Sequence, residues 1–311
     1  MGRIEAVRHK VGGIDGKRLP QSTDAGRKEG KTTVGSRVSG ALVRAFLVVV
    51  VITAPSFLLP GITGDTKQLV ALFALFAGAL VFAEYNAEFP TVIEFRDAPP
   101  FNRLRFLMLF LTVLGLTLLQ AGLQNPTSLT EFVHAVGYLI GRAMDFPYSP
   151  VRLVTLTLTD GSNASHVDMV RQAAGVAYLT SLICLSVFVA TLRFGGWPQK
   201  SRPFNVWINL PTFDPSAGGD VVLRLERDGR INIALGFLLP FAIPFVVTLS
   251  SPSANPFEVT SSQTLVWTVT AWSFLPASLF MRGIAIGRIA EMIREARRAN
   301  DRAEENGLAT A

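Results

Sequence analysis

The chain of 311 residues is 49% hydrophobic and 17% charged, with a formal net charge of +6 and a mean hydropathy of +0.38. A soluble globular domain carries roughly a quarter charged residues, so this balance excludes an ordinary water-soluble fold. The basic excess does not call for nucleic acid, because Lys and Arg collect on the cytoplasmic side of membrane proteins whatever their function.

From the amino end, residues 1–40 are rich in Gly, Ser, Thr, Lys and Arg and lack apolar periodicity. That predicts a disordered, basic cytoplasmic tail, and no cleavable signal peptide is expected in so polar a stretch. Six apolar runs follow, at residues 41–59, 68–83, 104–123, 173–192, 233–250 and 263–286, with charges only near their ends. A bilayer core of about 30 Å needs about 20 apolar helical residues, so each run predicts a transmembrane helix. The fold expected is an all-α polytopic membrane protein, its membrane domain covering 41–286.

Orientation follows from the cations. With the amino terminus in the cytoplasm, 25 of the 29 Lys and Arg residues fall on the cytoplasmic side. Only Lys67, Arg142, Arg152 and Arg171 fall outside. This asymmetry places both termini in the cytoplasm, and a bacterial inner membrane suits the short loops and basic tail. Pro55 and Pro60 punctuate the first span, Pro240 and Pro244 the fifth and Pro276 the sixth, predicting kinks. Small residues at helical spacing, Ala74–Gly78 and Ala173–Ala177–Ser181, predict close helix contacts, within the chain or between copies.

The first cytoplasmic connection carries Glu84, Glu88, Glu94, Arg96, Asp97, Arg103 and Arg105. Paired carboxylates can bind a divalent cation or transfer protons. Their spacing matches no metal loop, and an ion-pair cluster at the interface is the expectation.

In the external connection, 124–172, the polar residues Glu131, His134, Tyr138, Arg142 and Asp145 recur at steps of three and four. They predict an amphipathic helix in the interface with its polar face solvated, or lining a ligand vestibule. Residues 151–159 alternate like a short strand, Asp160-Gly161 reads as a turn, and Asn163 or Ser165 would cap the next helix. His166 and Asp168, with His134 and Asp160, offer metal-ligand chemistry, but a spacing of 32 residues between the two histidines argues against a site.

In the second cytoplasmic connection, 194–232, the segments 221–227 and 230–234 flank Asp228-Gly229, the residues of a type I′ hairpin turn. Leu223, Leu225, Ile231 and Ile233 would form the hairpin's apolar face. Pro203-Phe204-Asn205 echoes Pro100-Phe101-Asn102, an echo chance explains. Residues 287–311 predict a charged cytoplasmic helix and tail, supported by Glu291/Arg294 and Glu295/Arg298 pairs.

The chemistry-bearing motifs are missing from the sequence: no phosphate-binding glycine loop, no H-E-x-x-H, no G-x-S-x-G. Cys184 is the only cysteine, so no intrachain disulfide can form. No histidine lies in a span, no span has an ionisable group away from its ends, and no cofactor is implied. The balance is against an enzyme. The leading expectation is a non-catalytic subunit, assembly factor or adaptor that contacts membrane lipids and binds partner membrane proteins or further copies of itself. Behind it stand a transporter or channel for a neutral or hydrophobic solute, lined by Gln120, Thr248, Thr268 and Ser273 beside the prolines, and a lipid-acting enzyme.

Overall fold

The computed structural model describes residues 25–96, 99–158, 163–195, 209–211, 213, 218–249, 255–257 and 261–309. Among them every regular element is a helix: α1 Ala25–Leu58, α2 Gly64–Asn86, α3 Pro99–Gly122, α4 Ser128–Met144, α5 Pro150–Leu156, α6 Ala164–Phe194, α7 Val221–Thr248 and α8 Ser262–Ala309. Six of these, α1 to α3 and α6 to α8, are long and apolar enough to cross a membrane. The chain is a helical multi-pass membrane protein.

The six spans coincide with the six apolar runs and extend past them where a cap or a neighbour holds the extra turns. Thr63 caps α2, its hydroxyl accepting from the Thr66 amide. Asn163 caps α6 in the same manner through the Ser165 amide. Helix α1 begins at Ala25, well inside the stretch expected to be a disordered tail. Residues 1–24 lie outside the described residues.

Two expected β elements are helices. The segment expected as a hairpin around Asp228-Gly229 is the continuous first half of α7. Its buried positions, Val222, Leu225, Gly229, Asn232 and Gly236, step by three and four, and that helical stripe prevails over the local turn preference. Gly229 serves close approach instead of a turn: a Cβ there would lie 3.1 Å from the Gly283 carbonyl oxygen of α8. Leu223 and Ile231, expected on a hairpin face, are exposed. The expected strand at 151–159 is helix α5 as far as Leu156, and Thr159 and the expected Asp160-Gly161 turn lie outside the described residues. Ser149 caps α5 through the Arg152 amide and Pro150 occupies its first turn, a start signal stronger than the alternation that follows.

Small residues set the closest crossings. Gly78 packs on α1, where a Cβ would come within 2.7 Å of Val49. Ala173, Ala177 and Ser181 are buried, and the Ser181 hydroxyl donates to the Ser273 carbonyl of α8. The spacing that left two options open therefore serves packing within the chain. Two apolar clusters fill the bundle. Phe101, Met108, Phe188, Met281 and Ile289 form one around α3, α6 and α8. Val113, Leu116, Val154, Val170, Phe257 and Trp272 form the other, toward the opposite end.

Candidate functional site

The polar groups divide between the two ends of the bundle. At the end where α2 passes to α3, Glu84 in the last turn of α2 folds the connection onto itself. Its carboxylate accepts from the amides of Thr91, Val92 and Ile93 and from the Thr91 hydroxyl. Arg96 closes the same loop by donating to the carbonyls of Glu84, Ala87 and Glu88. Between them Phe95 takes a left-handed backbone (φ 53°), uncommon for a bulky side chain. It is held there by its amide on the Asn209 carbonyl and by Asn102 donating to its own carbonyl. The reversal brings Glu94 to Arg282 of α8 in a bidentate ion pair.

Behind this loop lies a cavity of about 820 Å³ between α1, α2, α3 and α8. Among the described residues five arginines line it, Arg44, Arg96, Arg103, Arg105 and Arg282, against one carboxylate, that of Glu94. The Arg44 side chain donates to the Gly40 carbonyl and lies over the Tyr85 ring. Arg105 stacks on Phe101, and its Nε is shut off from solvent with no hydrogen-bond partner. The rest of the wall is mainly apolar, with Leu47, Val48, Val81, Phe106, Leu107 and Leu279, beside the polar Asn102 and Ser278.

Of the residues expected in this cluster, the structure gathers Glu94, Arg96, Arg103 and Arg105 on the cavity. Glu84 stands behind it, Glu88 is exposed, and Asp97 lies outside the described residues. Arg44 and Arg282 complete the wall and were not anticipated. Their only signal in the sequence is that each is a lone cation within a helical turn or two of a span's end. Comparison with protein-family models, curated proteins and solved structures finds no match.

At the opposite end, α4 is helical as its period requires, but its polar stripe is not solvated throughout. Its buried positions are Thr130, Gly137 and Gly141, whereas Phe132 and Leu139 are exposed. His134, on the polar side, faces the bundle and its Nδ1–H donates to Gln172 Oε1 at 3.4 Å. Asp145 is paired with Arg152 at 2.8 Å and Arg171 at 2.7 Å, and Arg171 also meets Asp168. Thus the polar stripe is divided: Glu131, Tyr138 and Arg142 stay exposed, with Arg142 donating to the Tyr138 hydroxyl. His166 Nε2–H donates to the Phe257 carbonyl at 3.3 Å. Among the described residues no group of three or more His, Cys, Asp or Glu is placed to hold a metal ion, and Asp160 lies outside them.

The proline break at Pro244 in the fifth span has an internal partner. Pro244 has no amide to give the Pro240 carbonyl, and Trp272 Nε1–H of α8 donates to that oxygen at 3.2 Å. Thr248 and Ser273 donate to the carbonyls of Phe245 and Thr270.

Beyond the arginine-lined cavity, α7 and α8 run together. Glu226 pairs with Arg294, and Asp220 with Arg297 at 3.0 Å. Asp220 also caps α7 through the Val222 amide, and that bond, then Arg297, holds its carboxyl below the ordinary range.

Proposed function

We propose that this chain is a non-catalytic subunit, assembly factor or adaptor of a bacterial inner membrane, with both termini in the cytoplasm, that binds partner membrane proteins. One observation carries the reading. Helix α8 has 48 residues, about 72 Å at the rise of an α-helix, more than twice a bilayer core. Its excess length runs beside the first half of α7, cross-linked by the Glu226–Arg294 and Asp220–Arg297 pairs. A rigid two-helix stalk outside the membrane, presenting Leu223 and Ile231, is an apt docking element. The engagement of Glu84, Glu94 and Asp145 in structural bonds supports a role without proton transfer.

The test is affinity purification of the tagged chain from gently solubilised, cross-linked membranes. Enrichment of one or a few membrane proteins, lost with Leu223→Glu and Ile231→Glu together, is the expected result. Recovery of the bare chain, or of a homo-oligomer indifferent to those changes, overturns the partner reading. Reporters fused after Ala311 and within the loop following α4 check the orientation separately. Activity of a cytoplasmic reporter is expected only for the first fusion.

A further inference from the structure

The arginine-lined cavity has no part in the stalk's role, and its composition is not explained by topology. Cations that merely fix orientation need only lie in the loops, hydrated. Here one of them, Arg105, stands inside α3 with Nε desolvated and unsatisfied, and another, Arg282, leaves α8 to face the same space. A buried charge needs compensation, and among the described lining residues one carboxylate, Glu94, serves both Arg282, through two hydrogen bonds, and Arg105, through its charge. The wall therefore has unmet demand for an anion. Guanidiniums suit phosphate above other anions, because their planar donors match its oxygens in pairs.

The second half of the argument is the rest of the wall. Leu47 and Leu107 line the cavity on α1 and α3 and keep 37% and 43% of their surface accessible. The cavity therefore joins an arginine-rich part to accessible apolar side chains of two spans, which in a bilayer would meet hydrocarbon. A free phosphate uses only the first half of such a site. An amphiphile uses both.

We infer that the cavity between α1, α2, α3 and α8 is a binding site for a phosphate-bearing lipid, its headgroup among Arg44, Arg105 and Arg282 and its chain leaving past Leu47 and Leu107. A volume of about 820 Å³ is in the range of small-ligand sites and takes a headgroup with the start of a chain, the remainder staying in the bilayer.

The experiment is native mass spectrometry of the full-length chain in detergent, titrated with dioleoyl phosphatidic acid, dioleoyl phosphatidylcholine or inorganic phosphate. Expected is a saturable one-to-one adduct with phosphatidic acid, weakened about tenfold or more in Arg105→Gln and in Arg282→Gln, in line with the loss of a charge-assisted hydrogen bond. Arg298→Gln, on the stalk, is expected to bind as the parent does. Leu107→Trp leaves every arginine in place and is expected to weaken phosphatidic acid while leaving the protein monodisperse, so the question stays answerable if an arginine variant fails to fold. Equal affinity for phosphatidylcholine, or phosphatidic acid binding indifferent to all three cavity variants, overturns the site. Inorganic phosphate binding as tightly as phosphatidic acid, with Leu107→Trp without effect, overturns the lipid and leaves a free-anion site.

Discussion

Arg282 and Glu94 meet through two hydrogen bonds, Nε to Oε2 at 2.6 Å and Nη2 to Oε1 at 2.8 Å, fastening the α2–α3 connection to α8. Both side chains are largely shielded, at 29% and 13% exposure. Removing one member of such a pair strands the other, which costs more than the pair itself contributes. Glu94→Gln is expected to lower unfolding stability in detergent by about 2 kcal/mol, and Arg282→Gln by a similar amount. The double variant should lose less than the sum, with an interaction energy of about 1–2 kcal/mol. Additive losses in the cycle would show that the pair is not coupled. Glu94→Gln alone should also tighten phosphatidic acid, since it removes the carboxylate that competes with the anion for Arg105 and Arg282.

Glu84 acts on the cavity from behind. Its Oε2 receives three consecutive amides and its Oε1 the Thr91 hydroxyl, so a neutral amide side chain would keep one acceptor but lose the negative charge and the second oxygen. Glu84→Gln is expected to cost about 2 kcal/mol, from the typical worth of hydrogen bonds to a charged acceptor. The loss should be local. Amide exchange at Val92 and Ile93 should accelerate strongly while exchange in the middle of α6 stays as it was. Unchanged protection at those two amides would remove Glu84 from this role.

The six spans were legible in the sequence because a run of about 20 apolar residues needs no tertiary information to be recognised. The α7 segment was misread for a definable reason. Asp228-Gly229 is a strong local turn signal, whereas the stripe Val222–Leu225–Gly229–Asn232–Gly236 passing through it has meaning only beside α8. In α4 the period is right, and the polar stripe expected to be solvated is split. Where the surrounding solvent is hydrocarbon the apolar stripe turns outward, so His134 and Asp145 went toward the bundle and Phe132 and Leu139 away from it. The cavity was half legible. The cluster in the α2–α3 connection is one stretch of chain, but nothing in spacing joins it to Arg44 and Arg282, which arrive on helices from distant parts of the sequence.

The packed face of α4 rests on glycine. A Cβ on Gly175 would lie 2.7 Å from the Gly141 Cα, and one on Gly141 would lie 2.9 Å from the Gln172 Cα. These are backbone contacts, which cannot rotate aside as a side chain would. Gly175→Ala is expected to push α4 from α6 and cost about 1–3 kcal/mol, the range for overpacking a close-packed interior. Gly64→Ala, where a Cβ meets open space, is the matched control and should stay near neutral. Thermal unfolding in detergent decides between them, and equal midpoints for the two variants would refute the close crossing.

Trp272 and Pro244 together form a compensated break. Pro244 deprives the Pro240 carbonyl of its usual donor, and the Trp272 indole supplies one from α8 in a buried setting. Trp272→Phe removes that donor and is expected to cost about 1–3 kcal/mol for the unsatisfied carbonyl. It also removes ring volume, so the single substitution cannot apportion the loss. Pro244→Ala separates the two contributions, because it returns a backbone amide to the same carbonyl. In the Pro244→Ala background Trp272→Phe retains its packing cost but should lose the hydrogen-bond part, so its total effect should fall by about 1 kcal/mol. If the cost of Trp272→Phe is the same in both backgrounds, the indole is a packing residue only, and the break in α7 is left open to another donor.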